Sequence, residues 1–204
     1  KFIFFMINVN DFKFWEDIYL NNDIGWDLKG PTPVFNEISK QLKPGKLIIL
    51  GCGRGYDAVM FAKKGFEVTA VDFSPSAINF LNSLSSKNKV KINIIKEDLF
   101  LLNERYINHF DYVIEQTCFC AIDPKRRSEY EILTNNILKF NGLLIGLWFP
   151  IGKQIKEGGP PWGVSLSKIK DMFKNNWSIE KEEFPILSIE KRKNREKIII
   201  FEKQ

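Results

Sequence analysis

Residues 47–57 have the sequence LIILGCGRGYD, in which an apolar run leads into a turn with three glycines and then into a helical pattern. A strand, a glycine-rich turn and a helix form the first unit of a doubly wound α/β domain. Ligands bind such domains at the carboxyl ends of the strands, where glycine lets them approach the backbone closely. The stretch therefore predicts a cofactor site at its turn.

Apolar runs alternate with helical patterns along the rest of the chain, which predicts a parallel sheet with helices on both faces. A charged connection joins the last two runs and favours an antiparallel pair. The predicted fold class is α/β, a doubly wound, Rossmann-like seven-stranded sheet, mostly parallel, with an antiparallel strand near the C-terminus. The runs predicted as strands are 46–50, 66–71, 90–95, 110–114, 143–149, 177–184 and 197–201.

The chain of 204 residues has the length of one domain. We expect a single domain over 1–204, in which 1–45 form a helical cover and 46–204 form the sheet core. Helical patterns in the cover lie at 11–20 and 33–42, and those of the core at 57–64, 75–84, 126–138 and 165–174. Gly142 is predicted to end the helix before the fifth strand.

Charge and apolar content favour a cytoplasmic protein without nucleic-acid or membrane partners. The net charge is +5, but the lysines are scattered, and the densest basic run, 190–195, is interpreted as a solvated turn because no aromatic residues interleave for base stacking. No run reaches the roughly 18 apolar residues of a membrane span. The apolar opening, Lys1 to Met6, is interrupted by Asn8 before it reaches the length of a signal peptide.

Three cysteines, Cys52, Cys118 and Cys120, lie within or beside apolar runs. An odd number argues against a disulfide framework, and the spacing of the last two is wrong for a zinc knuckle, so we expect no metal and a reducing compartment. Cys118 and Cys120 follow the fourth strand and invite a nucleophile interpretation. The only histidine, His109, precedes a strand, so little would activate them, and a structural role is favoured.

The glycine turn favours S-adenosylmethionine over a dinucleotide. A dinucleotide turn has the pattern G-x-G-x-x-G and places pyrophosphate on the helix start. Here Gly55 comes one place early, and Asp57 would repel a pyrophosphate but attract an ammonium group. Gly51, Cys52, Gly53 and Asp57 are therefore candidate cofactor residues.

Acidic residues also end the second and third predicted strands. Asp72 follows the glycines by about twenty residues, the spacing used to bind a ribose diol, although a helix cap is the alternative because Ser74 and a proline follow. Phe73 is expected to lie along the adenine. Asp98 is a candidate acceptor for the adenine amino group, with Leu99 supplying a backbone contact.

Together these motifs resemble the thiopurine S-methyltransferase family, and especially its thiol, thiocyanate and halide methyltransferase branch. The resemblance covers nearly the whole chain. It rests on Trp15, Trp26-Asp27, 30–33, 51–57, Asp72, Glu97-Asp98, 120–124 and 158–161.

The resemblance implies that Trp15 and Trp26 fold over the cofactor, with Tyr19 where that branch often has tryptophan. It also places Glu115 in the cofactor site, and Gln116 where some relatives carry tyrosine. A sulfonium is a cation that aromatic faces attract by about 0.5 to 2 kcal/mol. The alternative to cofactor contact is that both tryptophans anchor the N-terminal helix to the core.

The predicted activity is methyl transfer from S-adenosylmethionine to a small thiol or similarly soft nucleophile by direct in-line displacement. Such a reaction requires no general base, so the catalytic residues stay open, with Gln116, Arg127 and Trp162 as pocket candidates. Halide, thiocyanate or thiopurine methylation is the alternative, followed by a nucleic-acid methyltransferase or a non-catalytic binding protein. We expect a monomer or small homo-oligomer, with the 158–162 loop as part of a lid.

Overall fold

Seven strands form one sheet in the computed structural model, which describes residues 8–204. Their order is β3-β2-β1-β4-β5-β7-β6, and β7 runs antiparallel to both of its neighbours. The predicted fold class is confirmed. The strands are β1 (Lys46–Leu50), β2 (Glu67–Asp72), β3 (Asn93–Lys96), β4 (Phe110–Gln116), β5 (Leu138–Trp148), β6 (Trp177–Glu183) and β7 (Lys197–Lys203).

Within residues 8–204, six α-helices precede or connect these strands, at or near the positions that the helical patterns predict. Asp11 and Ser74 begin the first and fourth helices with side-chain caps, and a proline follows Ser74 at the first helical position. The helices are α1 (Phe12–Leu20), α2 (Pro33–Ile38), α3 (Tyr56–Lys63), α4 (Pro75–Lys87), α5 (Arg127–Ile137) and α6 (Leu166–Met172).

The junction between α5 and β5 differs from the prediction. Gly142 lies inside β5 and does not end the helix, which stops at Ile137. Leu138 already pairs with Phe110, and the pairing becomes irregular before it resumes at Leu143. The strand therefore begins five residues before the apolar run that predicts it, because the pairing of Leu138 with Phe110 extends it across an irregular segment that contains Lys139 and Asn141.

Each face of the sheet packs against its own helices. On one face, Trp148 and Phe201 pack with Tyr130 of α5. On the other, Phe61 of α3 and Leu81 of α4 cover the strands. Burial of both faces explains why the central strands are almost continuously apolar.

The reversal of strand order between β1 and β4 positions the site. From β1 the chain moves outward through β2 and β3, and then returns to pair β4 with β1. The connections after β1 and β4 therefore diverge and leave a crevice at the carboxyl ends of the strands, where doubly wound folds bind ligands.

Glu16 fixes the N-terminal cover to the sheet domain. Its carboxylate accepts hydrogen bonds from the hydroxyls of Ser74 and Ser76 at 2.7 and 2.6 Å and from the Ser76 amide at 2.9 Å. An anion is favoured there because the amides of the first turn of α4 point at it. The apolar opening from Lys1 to Met6 lies outside the described residues. No helix within 8–204 is long and apolar enough to cross a membrane.

Candidate active site

A cavity of about 740 Å³ lies between the carboxyl edge of the sheet and the N-terminal cover, within the size range of ligand sites. We call its two parts the turn side, formed by the 51–55 turn, Asp72 and Asp98, and the Arg192 side, formed by Thr32, Gln116 and Arg192. The cover and residues 159–161 also line it. The structure thus brings together segments from the whole length of the chain.

Two glycines of the turn are required by close packing. Gly51 has φ of +62°, and a Cβ there would lie 2.8 Å from the Cys118 sulfur. Gly55 has φ of +73°, and a Cβ would lie 2.3 Å from Leu81 of α4. These positions need both a left-handed backbone and the absence of a side chain, which glycine alone provides.

Asp72 braces the turn from the end of β2. Its carboxylate accepts hydrogen bonds from the Gly53 amide at 2.9 Å and the Ser74 amide at 3.0 Å. The helix-cap alternative is thus realised in part, since one oxygen holds the turn that begins α4. Burial raises the pKa of Asp72 above its usual value. The carboxylate also lines the cavity, where the ribose contact stays a prediction.

Asp98 follows β3 on the same edge. It accepts a hydrogen bond from the Phe100 amide at 3.0 Å and begins a short 3₁₀ turn at Leu99. Arg126 stacks on the Phe100 ring, with its guanidinium carbon 3.9 Å from the ring centre, and lies 3.6 Å from the Asp98 carboxylate. Asp98, Leu99 and Phe73 all line the cavity, and their contacts with the adenine stay predictions.

Three aromatic side chains from the cover line the opposite wall. Trp15 and Tyr19 each meet the Trp26 ring edge-on, with centroid distances of 5.8 Å. The Trp15 indole also donates to the Val9 carbonyl at 2.9 Å. Packing among the rings realises the core-anchor alternative, and their place in the cavity wall leaves them available to a ligand.

A hydrogen-bonded chain joins Asp57, Thr32 and Gln116. The Thr32 amide donates to Asp57 at 2.7 Å, and the Thr32 hydroxyl lies 2.8 Å from Asp57 Oδ2 and 2.9 Å from Gln116 Oε1. Burial raises the pKa of Asp57 to about 6, against the effects of the Thr32 hydrogen bonds and the Arg192 charge. Asp57 thus has an internal partner, and its binding of an ammonium group stays a prediction.

Arg192 is a site residue that the sequence interpretation misses. The run 190–195 is predicted to be a solvated turn, but Arg192 is buried and lines the cavity. Its Nη2 donates to the Trp26 carbonyl at 2.9 Å, which fastens the cover to the segment before β7. Within 8–204, its Nη1 makes no hydrogen bond, and it lies 3.9 Å from the carboxylate of the buried Glu196. Charge density alone does not distinguish this arginine from its exposed neighbours.

A family model described as thiopurine S-methyltransferase matches residues 10–203. The chain belongs to the thiopurine S-methyltransferase family. Among its relatives, thiocyanate methyltransferase 1 of Brassica oleracea is 34% identical over 195 residues, covering 90% of this chain and 82% of that protein. Probable thiol methyltransferase 2 of Arabidopsis thaliana is 32% identical over 163 residues, covering 78% and 70%.

A solved structure gives the same fold. The Burkholderia thailandensis 1,6-didemethyltoxoflavin-N1-methyltransferase, crystallised with S-adenosylhomocysteine, aligns with a TM-score of 0.75 at 15% identity, covering 95% of this chain and 87% of that one. The family depends on S-adenosylmethionine. The predicted family, methyltransferase activity and cofactor are therefore confirmed.

Glu115 does not line the cavity of this family member, contrary to the prediction from the resemblance. Its side chain points into the core, where it accepts hydrogen bonds from the Phe119 amide at 3.0 Å and the Tyr130 hydroxyl at 2.9 Å. Burial raises its pKa to about 7. Successive residues of a strand face opposite sides, so Gln116 lines the cavity and Glu115 cannot.

Two of the three pocket candidates also lie behind the cavity wall. The Arg127 guanidinium donates to the carbonyl of Gly163 at 3.0 Å and to that of Trp162 at 3.4 Å. The Trp162 amide donates to the Cys120 carbonyl at 2.8 Å. These contacts hold the 158–162 loop in place, while Arg126 takes the position in the wall that the sequence interpretation assigns to Arg127.

Cys118 and Cys120 line the cavity, but their thiols are held protonated. Burial raises the pKa of Cys120 to about 12 and that of Cys118 well above its usual value. The Cys120 thiol donates to the Thr117 carbonyl at 3.3 Å. A thiol held protonated is a poor nucleophile, which supports the predicted structural role.

Proposed function

We propose that this protein binds S-adenosylmethionine on the turn side and transfers its methyl group to a small thiol on the Arg192 side. The observation that carries the proposal is the juxtaposition, in one cavity, of the Gly51–Gly55 turn with a buried arginine whose Nη1 makes no hydrogen bond within 8–204 and lies 3.9 Å from the Glu196 carboxylate. The relative from Arabidopsis thaliana that is called a probable thiol methyltransferase supports the same acceptor class.

The residues of the turn side fit the cofactor. Asp72 offers a buried carboxylate for hydroxyl donors, and the glycine turn leaves the backbone open to a ligand. Trp15, Tyr19 and Trp26 offer aromatic faces and edges beside these groups, and aromatic faces attract cations. S-adenosylmethionine supplies an activated methyl group, so the protein has to hold, orient and shield the reactants.

Arg192 favours the reactive form of a thiol. A free thiol has a pKa of about 8.5, and the thiolate is its nucleophilic form. A guanidinium stays charged in proteins, so Arg192 lowers the pKa of a thiol beside it, and the released proton passes to solvent. Sulfur then forms its bond to the methyl carbon as the carbon–sulfonium bond breaks. Orientation of the two reactants contributes roughly 7 to 11 kcal/mol.

Thiocyanate or halide methylation is the second candidate. Arg192 offers a positive charge to any small anion, and the Brassica oleracea relative is named as a thiocyanate methyltransferase. A nucleic-acid acceptor is disfavoured, because the cover and residues 159–161 form part of the cavity wall and Arg192 fastens the cover to the segment before β7.

The proposal is tested by incubating the protein with methyl-labelled S-adenosylmethionine and a panel of acceptors. The panel contains small alkyl and aryl thiols, a thiopurine, thiocyanate, iodide and total RNA. We expect the label in S-methyl thioethers, with one S-adenosylhomocysteine formed per product. Labelled RNA, or no labelled small acceptor from a protein that binds S-adenosylhomocysteine, would contradict the proposal.

A further inference from the structure

The hydroxyl of Thr32 lies between two atoms that are both acceptors as placed. It is 2.8 Å from Asp57 Oδ2 and 2.9 Å from Gln116 Oε1. A hydroxyl has one proton and can donate to only one of them. At the far end of the chain, Gln116 Nε2 is buried and has no partner among the described residues. The chain therefore needs one more proton, or a rotated amide, to be complete.

Two arrangements complete the chain. If Asp57 is ionised, Thr32 donates to it, and a half-turn of the Gln116 amide lets its NH₂ group donate to Thr32. The Gln116 carbonyl then occupies the unpartnered position. If Asp57 is protonated, it donates to Thr32, Thr32 donates to the Gln116 carbonyl, and the NH₂ group occupies that position. The two ends of an amide have almost the same shape, so the hydrogen-bond partners decide its orientation.

Gln116 lies in the wall of the cavity that would hold an acceptor. It is the last residue of β4, beside the Gly51–Gly55 turn at the switch point of the sheet, and it lines the cavity with Thr32 and Asp57. Iodide and thiocyanate only accept hydrogen bonds, so they are favoured by an NH₂ group and opposed by a carbonyl. A thiol is suited to both ends, because its S–H donates to a carbonyl and its thiolate accepts from NH₂.

We propose that Asp57, acting through Thr32, sets the orientation of the Gln116 amide and thereby decides whether aprotic anions compete with thiols for the acceptor position. Asp57 and Thr32 are positioning residues here, and Gln116 is the specificity-determining residue. The inference rests on the proposed function, because it concerns the acceptor of the same reaction.

The surrounding charged groups define the controls. Arg192, from the segment before β7, is the charge that lowers the pKa of Asp57, and burial holds that pKa near 6. Asp72 also lies in the cavity wall, with a raised pKa. Glu115 adjoins Gln116 in the chain, has a pKa of about 7 and faces the opposite side of β4. Glu115→Gln is therefore the matched control for Asp57→Asn.

The test measures the KM for iodide and for a small alkyl thiol between pH 5 and 8, with S-adenosylmethionine saturating. Calorimetry of iodide binding to the S-adenosylhomocysteine complex adds a measurement that needs no turnover. In the wild type, we expect the iodide KM and Kd to fall about tenfold as the pH falls through 6, the effect of one hydrogen bond to an ion. The ratio of the iodide KM to the thiol KM should therefore fall as the pH falls through 6.

The variants separate this mechanism from a general effect of pH. The substitution Asp57→Asn introduces an amide that donates to Thr32 at every pH, so this variant should bind iodide equally well throughout, at the level of the acidic wild type. Thr32→Val should remove the pH dependence, Thr32→Ser should restore it, and Glu115→Gln should retain it. An iodide profile that is unchanged in Asp57→Asn, or abolished in Glu115→Gln, would overturn the inference. If the wild type methylates neither acceptor, the proposed function fails, while iodide binding still decides the role of Asp57.

Discussion

The two sides of the cavity differ in the sequence separation between the residues that form their contacts. On the turn side, Gly53 is hydrogen-bonded to Asp72, which is 19 residues away in the chain. On the Arg192 side, Thr32 is hydrogen-bonded to Gln116, 84 residues away, and the Trp26 carbonyl accepts from Arg192, 166 residues away. Successive strand ends thus build the first side, while the second forms only when both ends of the chain fold over the sheet. The comparison separates a cofactor site made by local geometry from an acceptor site made by tertiary packing.

Replacement of Asp72 by Ala should give the largest effect and break the turn side. The carboxylate braces the Gly53 amide and is the proposed partner of the ribose hydroxyls. We expect a loss of about 1.5 to 3 kcal/mol in binding of S-adenosylhomocysteine, the value of hydrogen bonds to a charged group, measured by calorimetry. Asp98→Ala is the comparison, with a smaller loss because Asp98 pairs with Arg126 and does not brace the Gly53 amide. Unchanged affinity in Asp72→Ala would leave Asp72 as a helix cap alone.

Replacement of Arg192 by Ala should break the Arg192 side and leave the turn side in place. We expect the KM for a small thiol to rise about tenfold or more through loss of one charged hydrogen bond, with a smaller change in S-adenosylhomocysteine affinity. Arg192→Lys should recover part of the loss because it keeps the charge. Lys193→Ala changes an exposed neighbour outside the cavity wall and should behave as the wild type. An equal loss of affinity for the thiol and for S-adenosylhomocysteine would show that Arg192 acts by holding the cover in place and not by contacting the acceptor.

Replacement of Glu115 by Gln should change stability and leave both sides of the cavity intact, because Glu115 lies behind the cavity wall. Its pKa rises from 4.5 to about 7 on folding, so the folded protein holds a proton that the unfolded chain releases. This contribution to stability is present below pH 4.5 and is lost as the pH rises through 7. Glu115→Gln should remove that dependence and raise stability at pH 8 by about 1 to 3 kcal/mol in denaturant titrations.

The same substitution should leave binding of S-adenosylhomocysteine unchanged. Glu180→Gln, at an exposed position of β6, is the control and should change neither quantity. A clear loss of cofactor affinity in Glu115→Gln would instead support the direct contact between Glu115 and the cofactor that the resemblance implies.

The sequence predicts the turn side well because its signals act locally. The glycines of 51–55 are needed for backbone conformation and close packing, and acids at strand ends are recognisable from their strands. The structure places every predicted cofactor residue except Glu115 in the cavity wall. For Glu115 the prediction is wrong by one residue: neighbouring side chains of a strand point to opposite faces, so the adjacent Gln116 lines the cavity and Glu115 does not.

The sequence predicts the Arg192 side poorly because orientation and long-range contacts decide it. Gln116 lies in the wall as predicted, but Arg127 and Trp162 hold the loop from behind, and Arg126 lies in the wall. Arg192 stands in a run of charged residues, most of which are exposed. It is distinguished by its bond to the Trp26 carbonyl, a contact that no local pattern predicts.

Hydrogen exchange with and without S-adenosylhomocysteine tests most directly whether both sides belong to one covered site. We expect slower exchange in the 51–57 turn, in the cover around Trp15, Tyr19 and Trp26, and in the 158–162 loop, because the ligand binds beneath them and excludes water. Protection of the turn with unchanged exchange in the cover and the loop would contradict this expectation. The site would then be an open cleft on the turn side alone, accessible to a macromolecular acceptor.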